Sequence, residues 1–355
     1  MPAEAPELIH FIWVGGPIPA EYLESIHKLQ LLLQTNNQHF IKICLWTDNP
    51  ENIKATSAKN QGTDLLAGIS IKTVAEDLLP AMEQDSFYNK DKSAKQRLQI
   101  FKSVLGLESV GSSNFATIAD LLRLEILRQH GGLYLDCDTT FECNFSHDPI
   151  AQAIPFEYTP EELPLGFKAY ARAMYNCDRT SNKVKVDSIQ LSFSINDMLL
   201  ALPHSGIICE ALSTFLKVFD KMHKDMLATG ENKTKNTGKN KLQRSMYELK
   251  RSKLKADAVF KRMITIRLGP QIVCDTMQDS IKNIISKKAA VDGLFSHKDF
   301  KQITKELLLE RVDIKDLDVK TDGIYISRIF GILMTSRSDQ NWLQPAEGRP
   351  RSYSV

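Results

Sequence analysis

The chain has 355 residues, 43% of them hydrophobic and 25% charged, with a formal net charge of +2. That composition is ordinary for a globular protein and excludes a chain disordered over most of its length. It also excludes a membrane span: the longest useful uncharged stretch, Met198–Cys209, is broken by Pro203 and His204 and falls well short of the ~20 residues a spanning helix needs.

The first residues, MPAEAPELIH, place Glu4 and Glu7 where a signal peptide carries basic residues, so no secretory leader is expected. Cysteines 44, 137, 143, 177, 209 and 274 form no Cys-x-x-Cys pair and read as reduced thiols without zinc spacing. Leu8–Val14 is a mostly apolar run closed by Gly15-Gly16-Pro17, a buried strand with a turn behind it. Ala20–Leu33 has apolar residues at 23, 26, 29, 32 and 33, a helical period. Ile41–Trp46 reads as a second strand, ended by the turn residues Asp48-Asn49-Pro50, and Ile69–Val74 as a third. Strand, helix, strand in this order predicts an α/β sheet.

Helices are expected near Ala94–Leu107 and Phe115–Arg128, the second stopped by Gly131-Gly132. Leu133–Leu135 is then a short strand with Asp136-Cys137-Asp138 at its C-terminal end, where open α/β sheets gather their ligands. Gln190–Asn196 is a further strand candidate, followed by a helix from about Ser205 to Leu227. The apolar-free stretch Thr229–Asn240 predicts a loop, and Lys241–Arg262 regains helical spacing. Met263–Leu268, Ile324–Ile326 and Gly331–Thr335 read as strands, and Ser336–Val355 as a polar tail. Lys221–Arg262 holds thirteen Lys/Arg against four Asp/Glu, a local +9 that leaves −7 for the remainder.

Two Asp-x-Asp pairs occur, and context separates them. Asp316-Leu317-Asp318 lies in a polar connection and reads as solvated surface. Asp136 and Asp138 follow a helix, a glycine stop and a strand. Carboxylates held there can share a hard divalent cation with phosphate oxygens; an acidic turn is the plainer alternative. Asp120 and Arg123, three apart on one face of an otherwise apolar helix, read as a surface ion pair or as a pair facing a cleft at the Asp136 strand end. Trp13 and Trp46 lie near strand ends, where an indole stacks on a nucleobase or joins the core. His10 reads as a satisfied core histidine, and Cys137 faces away from its aspartate neighbours by strand alternation. The Gly15-Gly16 turn lacks the spacing of a phosphate-binding loop.

The string FATIADLLRLEILRQHGGLYLDCDTT, with IHFIWVGG before it and Trp342 near the end, resembles the DxD sugar-nucleotide glycosyltransferases. More specifically, it resembles the branch with the glucosyltransferase domains of large clostridial cytotoxins and related bacterial effectors. The resemblance implies a single GT-A-like α/β domain over residues 1–355, with a Rossmann-like nucleotide-sugar-binding sheet and a helical, basic insertion at 205–262. It implies that Ile12 and Trp13 hold and stack the uracil of a UDP-sugar, and that Tyr134 lines the nucleotide pocket. Asp120 and Arg123 would bond the transferred sugar, with Arg123 also near the diphosphate. Asp138 would bind the metal, Mn2+ or Mg2+, directly, and Asp136 through water. Asn196, in SFSINDMLLALPHSG, matches an asparagine facing donor sugar and acceptor, and Trp342 a tryptophan whose indole bonds a phosphate oxygen. Asp339 and Asn341 are the candidates for further metal ligands, although Ser338–Asn341 does not register cleanly on the family pattern.

The implied activity is retaining transfer of a hexose, glucose before an N-acetyl sugar because Ile195 and Asp197 crowd Asn196, to a protein hydroxyl. The implied setting is a secreted bacterial effector or toxin in the host cytoplasm, acting on a host protein such as a small GTPase. The long N-terminal helical region that anchors the clostridial domains to membranes has no counterpart, which leaves the basic segment 221–262 as a candidate contact with an anionic membrane surface. Nucleic acid is not expected, because that segment interleaves only Tyr247 and Phe260 with its charges. Two alternatives remain open: a polysaccharide or glycolipid glycosyltransferase, and a membrane-docking module with a relict donor site.

Overall fold

A computed structural model describes residues 7–60, 63–106, 115–142, 167–168, 171–178, 183–191, 198–234, 324–329 and 332–337. Its first sheet is built from β1 (Leu8–Trp13), β2 (Lys42–Thr47), β3 (Ile69–Thr73), β4 (Gly132–Leu135), β6 (Phe167–Lys168) and β9 (Met198–Ala201), in the order β3-β2-β1-β4-β9-β6. β3, β2, β1 and β4 are parallel; β9 is antiparallel to β4, and β6 to β9. The second sheet, all antiparallel, has the order β5-β11-β10-β7-β8, with β5 Thr140–Glu142, β7 Ala171–Asp178, β8 Lys183–Leu191, β10 Ile324–Ile329 and β11 Ile332–Arg337. The expected mixed α/β architecture with a mainly parallel central sheet is what the chain adopts.

Strand alternation divides the core into two layers. Ile9, Phe11, Ile43, Leu45, Leu133 and Leu135 pack with α1 (Ala20–Thr35) through Leu23, Ile26, Leu29 and Leu33. Ile12, Val14, Trp46 and Tyr134 pack on the other side with α5 (Lys92–Gly106), α6 (Phe115–His130) and α7 (Gly206–Thr234). Each fully buried aliphatic or aromatic side chain contributes about 1.5–3 kcal/mol, so the sheet is fixed from both faces.

The helix stop before β4 behaves as expected. Gly131 has φ +63° and its amide returns to the Leu127 carbonyl at 2.9 Å, a left-handed C-terminal cap. A Cβ on Gly131 would come within 2.4 Å of the Pro203 ring, and one on Gly132 within 2.6 Å of the Leu8 carbonyl. Gly131 therefore lets the end of α6 close on Pro203, and Gly132 lets β4 start directly against β1.

Several elements differ from expectation. Asp48-Asn49-Pro50 is more than a turn: Asn49 Oδ1 accepts from the amides of Glu51 and Asn52, and Pro50 opens α2 (Pro50–Ala58), a favoured pairing of cap and first residue. A π-helical turn at Val74–Leu78 and the short helices α3 (Leu79–Gln84) and α4 (Ser86–Asn89) fill the connection to α5. Helix α7 runs through Thr234, so Thr229–Thr234 is helical where a loop was expected. Extending an existing helix adds one hydrogen bond per residue without a new nucleation cost. Of the strand expected at Gln190–Asn196, Gln190 and Leu191 belong to β8, and residues 192–196 lie outside the described residues. No helix among the described residues is long and apolar enough to cross a membrane. Cys44, Cys137 and Cys209 are free thiols.

Candidate functional site

Parallel strands β1, β2 and β4 end on the same edge of the first sheet, with Trp13 opposite Thr47 in register. After β4 the chain turns through Asp136, Cys137, Asp138 and Thr139 and enters β5 of the second sheet. The Asp-x-Asp turn is therefore the crossing between two sheets. The Thr139 amide closes it on the Asp136 carbonyl at 3.1 Å. Cys137 is buried with Leu133 and Leu135, and its thiol donates to the Ile12 carbonyl at 3.3 Å. Burial pushes that thiol well above its ordinary pKa, so it packs as an inert group, as alternation predicted.

Helix α6 delivers a guanidinium to this turn. Arg123 lies 3.0 Å from Asp120 Oδ1 and 3.4 Å from Asp136 Oδ1, and its Cζ stands 4.4 Å over the Tyr134 ring. The Tyr134 hydroxyl donates to Asp136 Oδ1, and burial raises that phenol far above its usual range, keeping it a donor. The side chains of Asp120 and Arg123 are 6% and 7% exposed, whereas Asp136 is 32% exposed. Asp120 and Arg123 thus form a buried pair at the edge of a cleft, and the surface-pair alternative falls. Two aspartates around one arginine leave this cluster net negative. The desolvation cost of a charge pair this buried is repaid only where good geometry and further hydrogen bonds satisfy both groups.

Asp136 and Asp138 offer hard oxygen donors two residues apart on one turn. Mn2+ and Mg2+ are held by one or two carboxylates together with substrate phosphates and water, so this donor set fits such an ion. Among the described residues no group of three or more His, Cys, Asp or Glu is gathered at this turn or elsewhere, so a cation here would rest on these two carboxylates together with phosphate oxygens.

Trp13 is half-buried, with its indole N–H donated to the Gly16 carbonyl at 2.9 Å and its ring edge-on to Tyr22 of α1 at 5.8 Å. The next turn is held by Asp48, whose Oδ2 accepts the Gly15 amide at 3.1 Å; burial raises the pKa of this carboxyl. Gly15 has φ +92°, and a Cβ there would sit 2.4 Å from the Phe115 ring, so the turn closes on the first residue of α6. Ile12 has its side chain in the core, and its carbonyl accepts from the Cys137 thiol.

Trp46 and His10 belong to the interior. Trp46 donates its indole N–H to His10 Nδ1 at 3.1 Å, and His10 Nε2 lies 2.9 Å from the Gly131 carbonyl. Nδ1 accepts, so Nε2 carries the hydrogen and the ring is neutral; burial lowers its pKa to about 4.

Asn196, Asp339, Asn341 and Trp342 lie outside the described residues, as do Ile195, Asp197, Asp316, Asp318 and the basic stretch beyond Thr234. Their described neighbours are informative. Met198 pairs with Leu135, so the chain enters β9 at the Asp136 end of β4. Thr335 pairs with Thr140, so β11 ends at Arg337 on the side of the Asp-x-Asp turn.

Sequence reasoning missed Asp48, Tyr22 and Ser25. An acid at the end of the strand next to β1 was a usable signal, since α/β dinucleotide sites place one there. Tyr22 and Ser25 gave none, because nothing in a helix sequence shows which backbone lies beneath it.

Residues 31–157 match the family described as "Glycosyltransferase sugar-binding region containing DXD motif", in agreement with the resemblance read from the sequence. That stretch holds Asp120, Arg123, Tyr134, Asp136 and Asp138. No curated protein matches the sequence. Among solved structures, the chain is similar to the PaToxG glycosyltransferase at 15% identity over 89% of this chain and 82% of that one, with a TM-score of 0.41. It is similar to the UDP-bound glycosyltransferase domain of the YGT toxin at 13% identity over 82% and 79%, with a TM-score of 0.40. It is also similar to the catalytic domain of alpha-toxin from Clostridium novyi at 16% identity over 78% and 73%, with a TM-score of 0.38. At these scores the likenesses assign no residue a role.

Proposed function

We propose that this chain, a glycosyltransferase by its matched sugar-binding region, moves a hexose from a UDP-sugar to a protein hydroxyl with retention of anomeric configuration. The observation that carries the reading is the meeting of Asp120, Arg123, Tyr134 and Asp136 where β4 crosses to the second sheet, beside Asp138.

In this reading the uracil stacks on Trp13 at the end of β1, and the diphosphate lies across to the Asp136–Asp138 turn. A bound Mn2+ or Mg2+ would neutralise charge on the departing diphosphate, held by Asp138 directly and by Asp136 through water. Arg123 is already aimed by Asp120 and Tyr134, so it can stabilise the leaving phosphate without reorganising, the arrangement that makes electrostatic catalysis effective. Asp120 accepts hydrogen bonds from the transferred sugar. Asn196 faces sugar and acceptor, and the Trp342 indole donates to a phosphate oxygen. The entry of β9 at the Asp136 end and the exit of β11 on the same side support these two roles. Asp339 and Asn341, which follow β11 in the chain, would be the candidates for further ligands to that ion. No protein base is required, because the departing diphosphate can take the acceptor proton.

Glucose is the favoured hexose. A host protein such as a small GTPase is the favoured acceptor, reached by a secreted effector acting as a toxin in the host cytoplasm. The basic segment 221–262 touches anionic membrane there, an assignment supported by its charge alone.

Incubation of the purified protein with a panel of UDP-sugars and Mn2+ tests the donor, with release of UDP as the readout. UDP-glucose should be hydrolysed faster than UDP-N-acetylglucosamine, and a eukaryotic lysate should acquire label from the preferred donor. Release of UDP from none of the panel would overturn the reading.

A further inference from the structure

Helix α1 touches both halves of the site. Tyr22 and Ser25 are three residues apart and both half-buried, so they share one face of the helix. The Tyr22 ring meets the Trp13 indole edge-on, with centroids 5.8 Å apart and planes at 69°. The Ser25 hydroxyl donates to the Thr139 carbonyl at 2.7 Å. Thr139 is 3% exposed, and its own amide closes the Asp136–Thr139 turn. Its carbonyl lies one residue past Asp138, so Ser25 helps set where the Asp138 carboxylate is presented. One turn of helix away, Tyr22 sets the tilt of the indole. Leu23, Ile26 and Leu29 bury the helix against the first sheet, so Tyr22 and Ser25 move as one body.

We infer that Tyr22 and Ser25 are positioning residues that couple the nucleoside end of the site to its metal end through α1. The inference rests on the donor reading above, in which Trp13 stacks on the base and Asp138 holds the cation. A ligand that fixes the Trp13 ring then restricts α1 and steadies the turn, and a cation on the turn steadies the ring. Coupling between two sites is reciprocal, so each ligand must tighten the other by the same factor.

UDP cannot test this, because its phosphates bind the cation themselves. Uridine can, since it has the base and ribose without a phosphate. Calorimetric titration of Mn2+ into the full chain, with and without saturating uridine, measures the coupling directly. In the wild type uridine should tighten Mn2+ binding about fivefold, the low end of ordinary coupling between sites. Ser25→Ala should bring that factor to one while still binding each ligand alone, and Ser25→Thr, which keeps the hydroxyl, should restore it. Tyr22→Ala should also remove the coupling, and Tyr22→Phe, which keeps the ring, should retain it. Equal coupling in wild type and Ser25→Ala, or none in the wild type while both ligands bind, would overturn the inference and leave the donor reading standing. Failure of uridine to bind the wild type would instead overturn the donor reading, and the inference with it.

Discussion

Helix α6 carries two constellations of nearly the same composition. Toward its middle, Arg123 meets Asp120 three residues before it, Asp136 from the following turn, and the face of Tyr134. One and a half turns later, Arg128 meets Glu125 three residues before it, Asp85 from the start of α4, and the rings of Phe87 and Tyr88. The second set is closed. Arg128 and Glu125 are 1% and 0% exposed, Tyr88 donates to Glu125 Oε2 at 2.7 Å, and Gln129 adds a further bond to Glu125 Oε1. Burial would lower the Arg128 pKa, but the Glu125 and Asp85 carboxylates outweigh it and raise it further. The first set lies at strand ends and opens through Asp136. Closely similar residue types therefore build a structural clasp in one place and a candidate site in the other. The difference lies in whether the second acid sits at the carboxyl edge of a parallel sheet.

The comparison breaks most sharply under substitution. Asp138→Ala should cut metal-dependent UDP-sugar hydrolysis by about a hundredfold or more, the scale of losing an electrostatic stabiliser of the leaving group, with the unfolding midpoint little changed. Arg128→Ala should do the reverse. Removing one partner of a buried charge network costs about 3–5 kcal/mol, readable by urea denaturation, while the remaining folded fraction keeps its turnover. Comparable kinetic loss from both would erase the distinction between the two sets.

Arg123→Lys sharpens the same contrast at a somewhat smaller scale. A lysine keeps the charge but lacks the planar fork that reaches Asp120 and Asp136 together. Hydrolysis should fall about tenfold or more, mainly in kcat if Arg123 acts on the leaving phosphate. A change confined to KM would place it in ground-state binding.

His10 provides a prediction about pH, away from the candidate site. Its folded pKa, about 4, lies below the ordinary 6.5 because burial disfavours the charged ring. The unfolded chain then binds more protons between those values, so stability is full above 6.5 and falls as pH drops toward 4. The loss should reach roughly 3 kcal/mol by pH 4. His10→Gln, which keeps a donor for the Gly131 carbonyl, should remove this component and flatten the acid limb of the stability profile. An unchanged acid limb in the variant would contradict the assigned neutral state. At the far end of the scale, Lys54→Ala breaks an exposed pair with Glu51 and should shift stability by no more than about 0.5 kcal/mol.

The sequence made the candidate set around Arg123 more legible than the clasp. Phe115–Arg128, the glycine stop and Leu133–Asp138 are local, so periodicity, a φ-positive glycine and strand alternation place Asp120, Arg123, Tyr134, Asp136 and Cys137 without knowledge of the rest. Glu125 and Arg128 stand at the same spacing in the same helix, yet their partners Asp85 and Tyr88 come from a connection whose short helices leave no periodic trace. β7 and β8 escaped for a related reason: their long antiparallel pairing is set by contacts across the sheet, which a single strand's residues do not display. Asn49 was read as a turn residue because capping and turn chemistry use the same side chain. Ser25 could not be found at all, since its partner is a backbone carbonyl more than a hundred residues away.

The central claim is that the Asp136–Asp138 turn and Arg123 hold the donor diphosphate with its cation. Titration of Mn2+ into the protein saturated with UDP-glucose, for wild type and Asp138→Asn, tests it most directly. Asparagine keeps the shape of the side chain and removes its charge, so the turn should stay intact. The account predicts a one-site Mn2+ isotherm in the wild type and at least a tenfold loss of affinity in the variant. Wild-type affinity for Mn2+ in Asp138→Asn would contradict it.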